Sequence, residues 1–182
     1  VTEGGAVVGL NAGMFDPRVA AAAGSICAVL RSEPVDWPLA GDSDFYRALT
    51  EQAGYHGVDA LLCHLLKSTP VWESFASAAR ETLLLRLRQA GAIELARRHD
   101  LEALLAVLQC AGVGVLLLKG AALAYTLYPE PYLRSRADTD LFIDTVDIRQ
   151  IKQIFTKLGY ELVGQTYKSH QFNSLRREFG QG

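Results

Sequence analysis

Cysteine is scarce in this chain and unpaired. Cys27, Cys63 and Cys110 are odd in number and widely spaced, with no Cys-x-x-Cys among them. That pattern argues against both a disulfide framework and a zinc site, and for reduced, mostly buried thiols of a cytoplasmic protein. An excess of charge is also missing. Eighteen Lys and Arg stand against 20 Asp and Glu, a net charge of −2. A general nucleic-acid binder would carry a basic excess, so none is expected, although a local basic patch stays open. No apolar run approaches the ~20 residues of a membrane span. No basic segment precedes an apolar one at the start, so no signal peptide is read and cytoplasm is the default. Internal repeats and long low-complexity runs are absent. The chain begins with Val1 rather than methionine, which reads as a missing start.

What is present is a large apolar fraction, 49% of 182 residues. This is enough for one domain, or for one core with a helical extension. Residues 1–33 are hard to place beyond a short apolar helix between Arg18 and Leu30. Residues 34–111 read as a helical region. Pro34 to Pro38 form an entry turn around Trp37, and Asp42 or Ser43 caps a helix through Phe45, Leu49 and Ala53 that Gly54 ends. A second helix covers Val58 to Leu66. After Ser68-Thr69-Pro70 a long helical stretch runs from Val71 to Cys110, with Leu84, Leu87, Ile93, Ala96, Leu104 and Leu108 as its apolar stripe. Arg80, Glu81, Arg86, Arg88, Glu94 and Arg97 read as a solvated face. Trp37 and Trp72 read as packing anchors, His56 and His99 as surface or capping residues. Cys63 and His64 are adjacent and diverge on a helix, a poor ligand pair.

The informative stretch is Val113 to Ile143, VGVLLLKGAALAYTLYPEPYLRSRADTDLFI. Val113 to Leu118 is an apolar run bounded by glycine, the pattern of a buried strand. Lys119-Gly120 ends it. Ala121 to Tyr128 predicts a short helix with Leu123 and Leu127 on one face, stopped by Pro129 and Pro131. Asp138 to Ile143 predicts a second strand beside the first. Alternation along that strand puts Asp138 and Asp140 on one side, with Thr139, Leu141 and Ile143 facing the core. Two carboxylates so close favour a cation between them, and Mg²⁺ accepts one or two carboxylates together with waters and substrate phosphates. Gly120 opens a helix directly after a strand, where backbone N–H groups attract phosphate. Lys119, Arg134 and Arg136 add cationic groups suited to phosphate oxygens.

These residues resemble a known family. Lys119, Gly120, Leu123, Ala124, Tyr128, Pro129, Arg134, Asp138, Asp140 and Leu141 stand in the order of the signature of the uncharacterised bacterial nucleotidyltransferases. That family lies within the polymerase-beta-like nucleotidyltransferase superfamily. The resemblance covers roughly residues 34 to 165. It implies transfer of a nucleoside monophosphate from a nucleoside triphosphate to an unknown acceptor. Asp138 and Asp140 would be catalytic and hold Mg²⁺ or Mn²⁺, while Lys119, Gly120, Arg134 and Arg136 would bind the nucleotide phosphates. The implied fold class is α/β (α+β), an N-terminal helical region followed by a small mixed-sheet core over residues 112–182.

Downstream, Asp144 or Thr145 and Asp147 signal the start of a helix with Ile148, Ile151, Phe155 and Leu158 on one face. Gly159 suits its end, and Tyr160 to Tyr167 predicts a third strand. The resemblance implies a later strand with a third carboxylate before an apolar residue and His-Trp. That string is missing, and Glu178 is the only acidic residue in the tail. The core therefore reads as incomplete, truncated or changed in reading frame near residue 173. Two further readings follow: an inactive nucleotidyltransferase-like module that binds nucleotide or a protein partner, and a member of a toxin–antitoxin type pair.

Overall fold

The computed structural model describes residues 16–144, 148–165 and 170–174. The chain divides into two compact units, one up to Arg86 and one from Leu87. The division falls inside a helix.

The first unit is helical. Helix α1 spans Pro17–Leu30. Its start is set by Asp16, whose carboxylate accepts from the Arg18 N–H at 2.9 Å, and by proline at the first helical position. Helix α2 spans Ser43–Tyr55 and is capped by Asp42, which accepts from the Phe45 N–H at 3.1 Å. His56 is its C-terminal cap. Helix α3 spans Asp59–Leu66. The expected long helix does not begin at Val71. Pro70–Ser74 form a 3-10 turn, Phe75 is extended, and helix α4 runs over Ser77–Cys110. The interruption lets Phe75 reach the core. Its ring meets Trp37 at 4.8 Å, Tyr46 at 5.0 Å and Trp72 at 5.9 Å between centroids. Both tryptophans therefore pack in the helical unit. The Arg86 guanidinium donates to the Thr50 carbonyl and pairs with Asp59 at 3.6 Å, tying α2 and α3 to α4. Cys63 is fully buried and its thiol is pushed up by desolvation, while Cys27 and Cys110 are exposed.

The second unit carries the sheets. Helix α4 ends in a Schellman motif. Gly112 has φ +71°, its N–H bonds the Gln109 carbonyl, and the Val113 N–H reaches the Leu108 carbonyl at 3.0 Å. Strand β1 is Gly114–Leu117, helix α5 is Lys119–Thr126, a 3-10 turn follows at Pro131–Leu133, and strand β2 is Leu141–Asp144. Helix α6 covers Ile148–Lys157, strand β3 Tyr160–Gln165 and strand β4 His170–Ser174. Strands β1 and β2 pair antiparallel, with Val115 opposite Ile143, Leu116 opposite Phe142 and Leu117 opposite Leu141. Strands β3 and β4 form a second antiparallel pair with an irregularity between Leu162 and Gly164. Helices with small antiparallel sheets make the fold α+β.

One core holds this unit together. Leu104 and Leu108 of α4 meet Ile151, Ile154 and Phe155 of α6, and Val113, Val115, Leu141 and Ile143 pack against them. One face of the β1–β2 pair is thus covered, and the alternation in β2 is real from Leu141 onward. The other face leaves Leu116 and Phe142 exposed.

Several expectations are corrected. Asp138 to Asp140 do not belong to the strand, which starts at Leu141. Thr139 is exposed and does not face the core. Leu123 and Leu127 are exposed; α5 buries Ala121 and Ala124 in their place, because small side chains let the helix pack closely. Ile93 is exposed and Glu94 is buried. The caps expected at Thr145 and Asp147, Tyr167 at the end of the third strand, and Glu178 lie outside the described residues. No described helix is long and apolar enough to cross a membrane.

Candidate nucleotide site

The Lys119-Gly120 turn and the Asp138-Thr139-Asp140 segment are brought together by the β1–β2 ladder. Beyond the last paired residues, Leu117 and Leu141, the Leu118 N–H donates to the Asp140 carbonyl at 2.9 Å. That bond places Asp140 beside the end of β1. The Lys119 ammonium then pairs with Asp140 Oδ1 at 3.1 Å. Its side chain is 74% exposed and that of Asp140 31%. An ion pair this open is worth about 0–1 kcal/mol, so it is easily redirected to a ligand.

Lys119 also adopts φ +47°. A non-glycine residue in the left-handed region is strained by about 1–2 kcal/mol. The turn is made where β1 must stop and α5 must start, and the charged residue sits at the apex. Gly120 follows in the first turn of α5. A Cβ added there would lie 3.7 Å from the Arg136 Cβ, an ordinary contact. Glycine at 120 is therefore not forced by internal crowding, which leaves open the approach of an outside group to its backbone.

Asp138 is exposed and Asp140 half-buried. Both offer carboxylate oxygens, the donor type that hard divalent cations take. Among the described residues no group of three His, Cys, Asp or Glu is gathered to hold a metal ion. The donor set fits a cation that keeps most of its ligands from water and phosphate, as Mg²⁺ and Mn²⁺ do. Arg134 follows the 3-10 turn, and its Nη1 donates to the Ser135 carbonyl at 3.3 Å in an exposed bond.

Arg136 has a different place from the one the sequence suggested. Its side chain is 3% exposed and that of Glu94 is 8% exposed. Arg136 Nη2 donates to both Glu94 oxygens at 2.8 Å. A guanidinium buried on a carboxylate is withdrawn from solvent and from any phosphate arriving through it, so Arg136 is not assigned to the nucleotide. Tyr125 of α5 completes the cluster. Its hydroxyl donates to Glu94 Oε1 at 2.7 Å, and the Arg136 Cζ lies 5.6 Å from its ring centroid. Burial, then the bond to Glu94, pushes the Tyr125 phenol above its ordinary value of 10.0 and keeps the proton in place. Arg136 Nη1 donates to the Thr139 hydroxyl at 2.7 Å, and Arg97 Nη1 donates to the Arg136 carbonyl at 2.6 Å. Removing Glu94 or Arg136 alone would strand a buried charge, a loss of about 3–5 kcal/mol.

The sequence reading missed Glu94, Arg97, Tyr125 and Thr139, and had placed Glu94 and Arg97 on a solvated face. A signal was available. Glu94 falls seven residues before Leu101 and in step with Leu104 and Leu108, on the buried stripe of α4. A carboxylate at a core position of a helix asks for a buried partner.

A strand, a strained lysine-glycine turn at a helix start and two carboxylates two residues apart meet at the end of the β1–β2 pair. The chain belongs to the family of uncharacterised nucleotidyltransferases, which it matches over residues 44–179. No curated protein and no solved structure matches it.

Proposed function

We propose that this protein transfers a nucleoside monophosphate from a nucleoside triphosphate to an acceptor oxygen, as a bacterial member of the polymerase-beta-like superfamily. The observation that carries the reading is the pairing of Lys119 with Asp140, which joins the lysine-glycine turn to the segment that holds both aspartates. Asp138 and Asp140 would hold Mg²⁺ or Mn²⁺. A bound cation of this kind neutralises triphosphate charge and lowers the pKa of an attacking hydroxyl.

The chain's own groups divide the remaining work. The Gly120 backbone at the start of α5 lets phosphate oxygens approach. Lys119 leaves Asp140 for a phosphate oxygen when nucleotide arrives, and Arg134 supplies the second positive charge. The acceptor oxygen attacks the α-phosphorus, and the bond from that phosphorus to the β-phosphate oxygen breaks. Pyrophosphate leaves, and the acceptor's proton passes to solvent. Positioning and charge neutralisation account for the acceleration. The acceptor class includes sugars, aminoglycosides, protein side chains and RNA ends.

The test is incubation with α-labelled ATP, GTP, CTP and UTP, Mn²⁺ or Mg²⁺, and a bacterial extract as acceptor source. Metal-dependent label on an acceptor, abolished by Asp140→Asn, is the expected result. Nucleotide binding that depends on Asp138 and Asp140 without transfer would instead identify an inactive binding module. Label transfer that survives Asp138→Asn/Asp140→Asn would overturn the site assignment.

A further inference from the structure

The segment from Arg134 to Asp140 contains no helix or strand, yet it carries both aspartates. Two features fix its end: the Leu118 N–H bond to the Asp140 carbonyl, and the hold on Arg136. Arg136 is gripped from four sides. Glu94 takes its Nη2 with both oxygens, Tyr125 stands under the guanidinium, Arg97 bonds its carbonyl, and its own Nη1 reaches forward to Thr139. Only Nε lacks a partner among its side-chain donors.

We propose that Arg136, locked by Glu94 and Tyr125, is a positioning residue that sets Asp138 and Asp140 through its hydrogen bond to Thr139. The inference rests on the nucleotidyltransferase reading, in which those aspartates hold the cation. Arg136 touches neither nucleotide nor metal. It converts the rigidity of α4 and α5 into a fixed geometry for a segment without secondary structure. Among the described residues, the Thr139 hydroxyl is the one side-chain link between the cluster and the stretch from Asp138 to Asp140. Thr139 is exposed, so its replacement removes one partner of Arg136 Nη1 but leaves the two Arg136–Glu94 bonds and the core in place. Partners behind metal ligands change metal affinity by about 10–100-fold when removed, because the ligands lose their preset orientation.

The experiment compares wild type, Thr139→Val, Thr139→Ser, Glu94→Gln and Asp138→Asn/Asp140→Asn in the full chain. Mn²⁺ affinity is read by calorimetric titration of the metal alone. Order in the segment is read, without metal, by amide hydrogen exchange of residues 137–140. Thr139→Val is expected to weaken Mn²⁺ binding roughly tenfold and to speed exchange at those amides, with an unchanged unfolding midpoint. Thr139→Ser, which keeps the hydroxyl, restores both. Glu94→Gln follows Thr139→Val in both readouts if it folds; the threonine pair decides the matter if it does not. Thr139→Val matching wild type in affinity and exchange would overturn the proposal. If Asp138→Asn/Asp140→Asn binds Mn²⁺ as wild type does, the metal reading falls and the positioning of metal ligands falls with it. Faster exchange in Thr139→Val would then still mark the cluster as an anchor of the segment, so the two failures are distinguishable.

Discussion

Lys119 combines three properties that rarely coincide. It is largely exposed, it pairs with Asp140, and its backbone is left-handed. Strain of this kind persists only where the surroundings dictate it, and here the ladder bond to Asp140 on one side and α5 on the other do so. The strain makes a prediction that the charge does not. Lys119→Gly and Lys119→Ala both remove the ammonium, but only glycine relaxes the backbone. The glycine variant should be more stable than the alanine variant by about 1 kcal/mol in urea unfolding, with equal nucleotide affinity. An alanine variant as stable as the glycine one would show that the turn is unstrained. At this scale the sequence was informative wherever neighbours in the chain are neighbours in space. Lys119, Gly120, Arg134, Asp138 and Asp140 could all be picked from one 31-residue string. Glu94 and Arg136 could not be paired, because 42 positions separate them and the burial of a charge depends on which helix faces it. Composition near Glu94 looks like an ordinary charged helix, and only the stripe through Leu101, Leu104 and Leu108 betrays it.

Among the elements, α5 and β2 show where local pattern is overruled by packing. Helix α5 has Leu123 and Leu127 on one face by spacing alone. It turns Ala121 and Ala124 inward, and Leu127 is 72% exposed. Ala124→Leu should therefore destabilise by about 1–3 kcal/mol through overpacking, whereas Leu127→Ala should fall within about 0.5 kcal/mol of wild type. Thermal unfolding of the two variants checks this, and the reverse order would restore the leucine-inward helix. Strand β2 starts at Leu141 because its partner stops. Strand β1 pairs through Leu117, and after Leu118 the chain turns at Lys119, so nothing is left for Asp138 to pair with. The aspartates consequently sit in a segment held by side chains, and strand alternation does not fix their directions. Strand β4, His170–Ser174, was not anticipated at all, since HQFNS has no clean alternation to announce it.

For the molecule as a whole, the sequence conveyed a helical first part, a strand–helix–strand second part and the family. Caps and turns carried that much: Asp42 before α2 and Gly159 after α6. One uninterrupted helix crosses the division at Arg86/Leu87. The site lies wholly in the second unit, on the solvent side of elements whose other sides form the core of Leu104, Leu108, Ile151, Ile154 and Phe155. One measurement reaches the proposal that Lys119, Asp138 and Asp140 act together on a metal-bound nucleotide. The measurement is calorimetric titration of a non-hydrolysable ATP analogue with Mn²⁺ into wild type, Lys119→Ala and Asp138→Asn/Asp140→Asn, each repeated with EDTA. Wild type should bind in a way that EDTA abolishes, Lys119→Ala should bind about tenfold or more weakly through loss of a charge-assisted hydrogen bond worth about 1.5–3 kcal/mol, and the double aspartate variant should show no metal-dependent binding. Equal, metal-dependent binding by all three proteins would contradict it.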